Sequence, residues 1–252
     1  MEKKALIAVL VISTATMLSG CKNMDVSKLG TSATSVFKAA TLSDADVKSM
    51  SDAACQEMDL KNAIAPASSN YSKRLTKISS ALGNNIDGTP ITYKVYMKKD
   101  VNAWAMANGC VRVYSGLMDI MTDNEIEGVI GHELGHVSLG HSRKAMQAAY
   151  ATVAARDAVA SAGGTVAKLT NSQLGDIAEG LINSAFSRSQ ERDADNFSYN
   201  LLKKRNIDPK GLVTGFEKLS KLSAGSGSSL FSSHPPSDER AESIRKRISE
   251  NK

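Results

Sequence analysis

The sequence has few aromatic residues, 5% of the total, and it contains a single tryptophan. No stretch interleaves aromatic and basic side chains, so the formal charge of +5 gives no case for binding nucleic acid. No internal repeat is visible, which argues against a repeat array that serves partners. Cysteine is also scarce: three residues can form at most one disulfide, and one cysteine is left over.

Long apolar runs are rare, and the first of them predicts an export signal that is removed. Residues 2–4 are charged, and residues 5–20 are apolar but short for a membrane span. Residues 18–21, Leu-Ser-Gly-Cys, resemble a bacterial lipobox, which implies cleavage of residues 1–20 and acylation of Cys21. A plain secretory signal and an uncleaved anchor are the alternatives. After cleavage the formal charge is +4, from 29 basic and 25 acidic residues.

The residues that follow predict where the chain resides. Lys22 is not an aspartate, and by analogy with lipoprotein sorting in Gram-negative bacteria this favours the outer membrane, facing the periplasm. Residues 21–41 comprise the acylated cysteine and a flexible tether rich in Ser, Thr and Lys. Residues 42–252 are long enough for one domain with a substantial core.

The two remaining cysteines, Cys55 and Cys110, are even in number, and an oxidising periplasm would let them form a disulfide. The bridge would close a long loop and stabilise the fold by a few kcal/mol. Two buried free thiols are the alternative.

Residues 145–167 hold ten alanines and favour a helix. Lys144, Arg156 and Asp157 make a membrane span costly. We therefore expect an exposed or loosely packed helix, for which simple packing is favoured over a role as a lid.

Residues 131–136, Gly-His-Glu-Leu-Gly-His, contain the HExxH pattern. On a helix His132 and His136 lie one turn apart on the same face, so two imidazoles can bind one metal ion. A carboxylate at Glu133 can take a proton from a zinc-bound water and pass it to a leaving amine. The pattern therefore indicates metal-assisted peptide hydrolysis.

Signals on both sides support a helix around this motif. Thr122 and Glu125 can form a capping box at its start, and Gly140 can end it. Apolar neighbours predict that the helix is buried, so its histidines and glutamate need partners. The alternative is a core helix whose histidines bond only to backbone.

A small sheet is expected before this helix, after two helices over residues 43–59 and 69–82 and a turn-rich break over 84–90. The strands are predicted over 91–97, 103–106 and 111–114, with a tight hairpin turn at Asn108 and Gly109.

One strand of this sheet is a candidate for substrate binding. Zinc peptidases commonly hold the substrate backbone along an exposed sheet edge, and Asn102, Ala103, Trp104 and Ala105 are the candidates here. A hairpin that only packs on the helix is an equal alternative.

A catalytic zinc needs a third protein ligand. Glu191 and Asp195 lie one turn apart on a helix predicted over residues 175–204, so Glu191 can bind the metal while Asp195 accepts a hydrogen bond from a ligating histidine. A solvated charged face is the alternative. His141 lies on the wrong side of the HExxH helix unless Gly140 breaks that helix sharply, and we expect it to be structural.

HExxH followed by ExxxD resembles the gluzincin metallopeptidase family of HtpX, Oma-type and CAAX prenyl proteases. Three further segments look like motifs of this family: residues 102–105, residues 115–117, and His234 and Pro235 together with Arg240. With the lipobox, the chain is similar to the branch of periplasm-facing lipoproteins.

The resemblance implies one zinc ion per chain, bound by His132, His136 and Glu191, with Glu133 as the catalytic base. Asp195 would support a ligand. Of the distal motif, His234 and Arg240 are implied to act in catalysis.

The resemblance leaves two active roles for His234. It can steady the oxyanion or transiently fill the open position of the zinc, and the second role would make a latent enzyme. A histidine at a helix start without catalytic duty is the alternative. A closing charged helix is expected over residues 237–248 after a Gly/Ser loop at 223–229.

The fold class expected from these features is α+β and mainly helical: a zincin-like domain with a small β-sheet beside the HExxH helix. The expected function is an endopeptidase of the cell envelope that cuts unfolded or misassembled outer-membrane proteins, recruited by another envelope protease or assembly factor. The rival is an assembly chaperone for outer-membrane proteins with latent protease activity. A purely structural zinc site fits poorly, because only three convincing ligands are present.

Overall fold

A computed structural model describes residues 42–157, 169–223, 233–234 and 238–250. Several predicted features lie outside these residues, namely the signal at 1–20, the acylated Cys21, the tether to residue 41, most of the Gly/Ser loop, and Pro235. Among the described residues, each helix is too short or too polar to span a bilayer.

Helices dominate the described residues, as expected. In chain order the elements are α1 Asp44–Lys61, α2 Asn70–Leu82, β1 Asn85–Ile86, β2 Thr89–Pro90, β3 Thr92–Tyr96, β4 Ala103–Ala105, β5 Cys110–Tyr114, α3 Ser115–Ile120, α4 Asp123–Ser138, α5 His141–Asp157, α6 Asn171–Ile182, α7 Arg188–Lys204, α8 Lys210–Ser223 and α9 Asp238–Glu250.

The predicted ends of the HExxH helix, α4, are confirmed. The Thr122 side chain accepts the Glu125 backbone N–H, and the Glu125 carboxylate accepts the Thr122 backbone N–H at 2.8 Å. Gly140 adopts a φ of 72°, a left-handed conformation that turns the chain away from the helix.

The single helix predicted over residues 175–204 is wrong. Helix α6 ends at Ile182 and α7 begins at Arg188, with an irregular segment between them. Ser187 and Gln190 form a capping box that starts α7 afresh. This Ser-x-x-Gln pattern is present in the sequence and was the missed signal.

The sheet has the strand order β3–β5–β4, with β3 parallel and β4 antiparallel to β5. The hairpin turn at Asn108 and Gly109 is confirmed, and Gly109 has a φ of 82°. Both faces of the sheet are covered, since one apolar cluster contains Val111 and Val113 and the other contains Cys110 and Tyr114. Strand β5 is consequently buried throughout.

Helix α5 is packed more firmly than the sequence indicated. Met146, Tyr150 and Val153 are 0–4% exposed and belong to the second apolar cluster, which α1 and α6 share. The expectation of an exposed or loosely packed helix is therefore wrong for this part, because one face of the alanine-rich segment carries large apolar side chains.

The disulfide between Cys55 and Cys110 is confirmed and ties α1 to the first residue of β5. Beside it, Asp59 of α1 accepts hydrogen bonds from Arg112 at 2.8 and 2.9 Å, from Tyr96 at 2.7 Å and from Lys94 at 2.7 Å. Three strand residues thus bind one carboxylate of the helix.

This network makes part of the stability depend on pH. Burial alone would raise the pKa of Asp59, but Arg112, Lys94 and Tyr96 lower it to about 2. Ionised Asp59 therefore stabilises the fold above pH 4, by about 2 kcal/mol, and this contribution is lost as the pH falls towards 2. We expect Asp59→Asn to lower the free energy of unfolding at pH 7 and the deficit to shrink by that amount between pH 4 and pH 2.

Urea unfolding followed by circular dichroism measures this difference, in the presence of a chelator so that metal binding does not contribute. Lys94→Gln is the control, because Lys94 is half-exposed and its loss should cost less than about 1 kcal/mol. If Asp59→Asn lowers the free energy of unfolding equally at pH 7 and pH 2, the assignment of this pH dependence to Asp59 is contradicted.

Candidate metal centre

The site is built where α4 and α7 approach closely. A Cβ at Gly131 would lie 2.5 Å from the Ser198 Oγ, and one at Gly135 would lie 3.0 Å from the Ala194 Cα. The two glycines lack that atom, so the helix backbones come together and the inner face of α7 meets the histidines of α4. Gly131 and Gly135 are four residues apart, so they lie on one helix face, and this spacing is the signal in the sequence for the close approach.

Four side chains converge at this contact. His132, His136, Glu191 and His234 each offer one ligand atom, and these atoms lie within 4.8 Å of one another. His132 Nε2 is 3.0 Å from His136 Nε2 and 3.6 Å from Glu191 Oε2, and Glu191 Oε1 is 3.3 Å from His136 Nε2. The predicted ligands therefore lie together.

The four positions fit a tetrahedral metal. Bonds of 2.0–2.1 Å around zinc separate neighbouring ligand atoms by about 3.4 Å. The His234 Nδ1 lies 3.2 Å from His132 Nε2 and 3.1 Å from Glu191 Oε1, so these separations, taken to one or the other oxygen of Glu191, are close to that value. Burial lowers the pKa of His136 well below its usual range, which keeps the neutral imidazole that a metal binds.

Asp195 orients the first ligand. Its Oδ1 accepts a hydrogen bond from His132 Nδ1 at 2.8 Å, which leaves the His132 Nε2 lone pair for the metal. Arg240 of α9 donates to the same carboxylate at 2.6 and 2.7 Å. Burial would raise the pKa of Asp195, but Arg240 and His132 hold it below its usual range.

The buried charges favour a metal cation. Glu133, Glu191 and Asp195 are each 3% exposed, and Arg240 is the cationic side chain that faces them. Burial alone would raise the pKa of Glu191, yet His132, His136 and His234 hold it well below its usual range. Glu191 and Asp195 are thus held ionised against the single charge of Arg240, so a metal cation would balance the remaining carboxylate.

Glu133 lies beside the ligand set without belonging to it. Its Oε1 has no hydrogen-bond partner among the described residues, and the His234 Nε2 is 3.5 Å away. A pocket of about 20 Å³ next to it has room for one water molecule. Burial raises the pKa of Glu133. The pocket is lined by Val129, His132, Glu133, Phe216, Leu219, His234 and Arg240.

The segment between α6 and α7 adds an aromatic residue that sequence reasoning missed. Phe186 stacks on the His136 ring at 3.9 Å between centroids, and its backbone N–H donates to the Ser233 carbonyl at 3.3 Å. It also lines a groove of about 380 Å³ between α7 and α9 that reaches Glu191 and Asp195. Phe186 was missed because the sequence predicted one continuous helix over residues 175–204.

The structure also places the predicted residues that are not metal ligands. His141 is not among the four ligand residues, as expected, although Gly140 does break the helix and brings it next to His136.

Strand β4 is an edge of its sheet and packs against α4. The four candidate substrate-binding residues, Asn102 just before β4 and Ala103, Trp104 and Ala105 within it, are however only 1–3% exposed, and Trp104 packs against Tyr96.

Comparison with known proteins extends the likeness over nearly the whole chain. The pattern of peptidase family M48 matches residues 72–248. The metalloprotease LoiP of Escherichia coli strain K12 is 62% identical over 238 residues, 94% of each chain. The metalloprotease YcaL of the same strain is 58% identical over 96% of each chain.

A more distant relative is a putative beta-barrel assembly-enhancing protease of Vibrio cholerae, 28% identical over 63% of this chain and 35% of its own length. Together, the matched residues and the two high identities show that this chain belongs to peptidase family M48 and is a metalloendopeptidase.

Proposed function

We propose that the chain is a zinc endopeptidase of the bacterial cell envelope that cleaves unfolded or misassembled outer-membrane proteins. The observation that carries this proposal is the convergence of His132, His136 and Glu191 at tetrahedral spacing, with the Glu133 carboxylate beside them. Two imidazoles and one carboxylate are a ligand set typical of catalytic zinc.

The proposed hydrolysis depends on the three metal ligands and on Glu133. Zinc, when bound by His132, His136 and Glu191, supplies a Lewis acid and lowers the pKa of a water molecule. The Glu133 carboxylate, beside a pocket with room for one water molecule, would accept a proton from that water and deliver it to the leaving amine. Its pKa, which burial raises, suits this exchange, because a stronger base accepts the proton more readily.

Arg240 and Asp195 hold this arrangement together. Arg240 bonds to Asp195 and pairs with Glu191, so one guanidinium fixes both carboxylates of α7. We propose that Arg240 assists catalysis by holding these groups in place.

The proposed substrate class and cellular location rest on less direct observations than the metal site does. The name of the Vibrio cholerae relative supports outer-membrane proteins as substrates. The lipobox at residues 18–21 supports lipidation of Cys21 and attachment to the outer membrane, facing the periplasm. The position of β4 at the sheet edge beside α4 supports residues 102–105 as the segment that pairs with substrate through backbone groups alone, since their side chains are buried. Recruitment by another envelope protease or an assembly factor remains part of the proposal.

The central experiment is cleavage of unfolded casein by the purified protein. We expect Glu133→Gln to lower the rate at least about 100-fold, because it removes the base while leaving three ligands. A zinc chelator should abolish cleavage, and added zinc should restore it. Glu127→Gln, on the same helix but away from the ligands, is the matched control and should retain full activity.

An unfolded outer-membrane β-barrel protein and its folded form in detergent test the substrate class, and only the unfolded form should be cut. Cleavage that survives Glu133→Gln would disprove the assigned base. If Glu133→Gln abolishes cleavage but still supports assembly of outer-membrane proteins in cells, the rival chaperone function is favoured.

His234 provides a second prediction, since its Nδ1 lies at the fourth corner of the ligand set. We propose that it fills the position that water needs and so keeps the enzyme latent. His234→Ala should then raise the rate of casein cleavage several-fold while zinc remains bound.

The double variant Glu133→Gln, His234→Ala should stay inactive. This result would show that the higher cleavage rate of His234→Ala arises at the same active site. A rate that falls in His234→Ala instead would assign His234 to oxyanion stabilisation.

Membrane attachment is tested separately in cells. We expect Cys21→Ser to move the protein from the membrane fraction to the soluble periplasm, because a lipid chain supplies the anchor. Immunoblots of fractionated cells measure the distribution. A Cys21→Ser protein that stays with the membrane would show that acylation is not the main anchor.

A further inference from the structure

All four histidines of the chain meet at the metal centre. Three of them offer ligand atoms, whereas the fourth, His141, contacts one of the ligands from behind. Its Nδ1 lies 3.1 Å from the Nδ1 of His136, and both residues are buried, at 7% and 1% exposure.

The turn at Gly140 creates this contact. On an uninterrupted helix a residue five positions after His136 would lie about 140° around the axis from it. Gly140 instead adopts a φ of 72°, and α5 starts at His141 with its side chain returned towards His136.

The two histidines of the HExxH motif are thus held in different ways. His132 donates to a carboxylate, Asp195, that is itself bound by Arg240. The corresponding ring nitrogen of His136, Nδ1, contacts the imidazole of His141 instead of a carboxylate. Phe186 stacks on the face of the His136 ring.

Two nitrogens in contact at this distance form a hydrogen bond only when one of them carries a proton. The His136 Nε2 points into the ligand set, so metal binding requires its lone pair there and places the ring proton on Nδ1. The His141 Nδ1 must then accept that proton, with its own proton on Nε2.

We propose that His141 is a positioning residue that accepts the His136 Nδ1–H and thereby holds His136 in the tautomer and orientation that bind the metal. The inference rests on the proposed zinc function and adds a residue to it. A ligand that loses its outer hydrogen-bond partner typically binds metal about 10- to 100-fold more weakly.

The test compares three variants of the full-length purified protein. His141→Phe retains a ring but offers no acceptor, His141→Asn places an amide oxygen near the position of Nδ1, and His141→Gln places its oxygen near that of Nε2. We expect zinc affinity, measured by competition with a chromophoric chelator, to fall about 10- to 100-fold in His141→Phe. His141→Asn should recover most of this loss and His141→Gln less.

The visible absorption of the cobalt-substituted protein gives a second readout that general packing does not move. His141→Phe should shift the bands, because the His136 ring is no longer held, whereas His141→Asn should resemble the wild type. Equal zinc affinities and superimposable cobalt spectra for wild type and His141→Phe would overturn the proposal. It would equally fail if His141→Asn were as impaired as His141→Phe, since the role of His141 would then be packing alone.

Nitrogen NMR of the zinc-loaded wild type keeps the test independent of how the variants fold. With four histidines in the chain, the ring signals can be assigned, and we expect protons on His136 Nδ1 and His141 Nε2. A proton on His141 Nδ1 would overturn the proposal. If the wild type binds no zinc at all, the proposed function fails and this inference fails with it, whereas zinc binding that ignores His141 defeats the inference alone.

Discussion

The close contact between α4 and α7 is the constraint on which the rest of the site depends. Gly131 and Gly135 let the two helix backbones approach, and only then can Glu191 reach the histidines of the preceding helix. The contact also buries three carboxylates, which an apolar interior tolerates only with compensating charge. Arg240 supplies one positive charge, and a bound metal cation would supply more.

Local patterns made much of this structure predictable. The HExxH spacing and the capping box at Thr122 and Glu125 act within one or two helical turns, so sequence reveals them directly. The disulfide followed from counting cysteines in an oxidising compartment, and the fold class followed from the family resemblance. The segment between α6 and α7 was missed because helix propensity masked a capping box, and Phe186 was lost with it.

Other features could not be read from the sequence because they depend on the path of the chain in space. The contact of His141 with His136 needs the direction of the turn at Gly140, and spacing gives only its position. The burial of β4 and β5 depends on helices that cover both faces of the sheet, whereas alternation along a strand reports only its own side chains. On the second face, Asp59 binds α1 to the sheet through groups separate from the metal centre, so stability and catalysis draw on different residues.

The position of Arg240 along the chain also sets the order in which the enzyme is completed. The metal ligands of α4 and α7 are followed by α8 before α9 brings the guanidinium that pairs with the two carboxylates of α7. A chain that is synthesised from its amino terminus therefore carries its HExxH helix for many residues before the site can close. Until α9 has docked, Glu191 and Asp195 lack their guanidinium partner, so the metal centre is assembled by contacts between segments far apart in the chain.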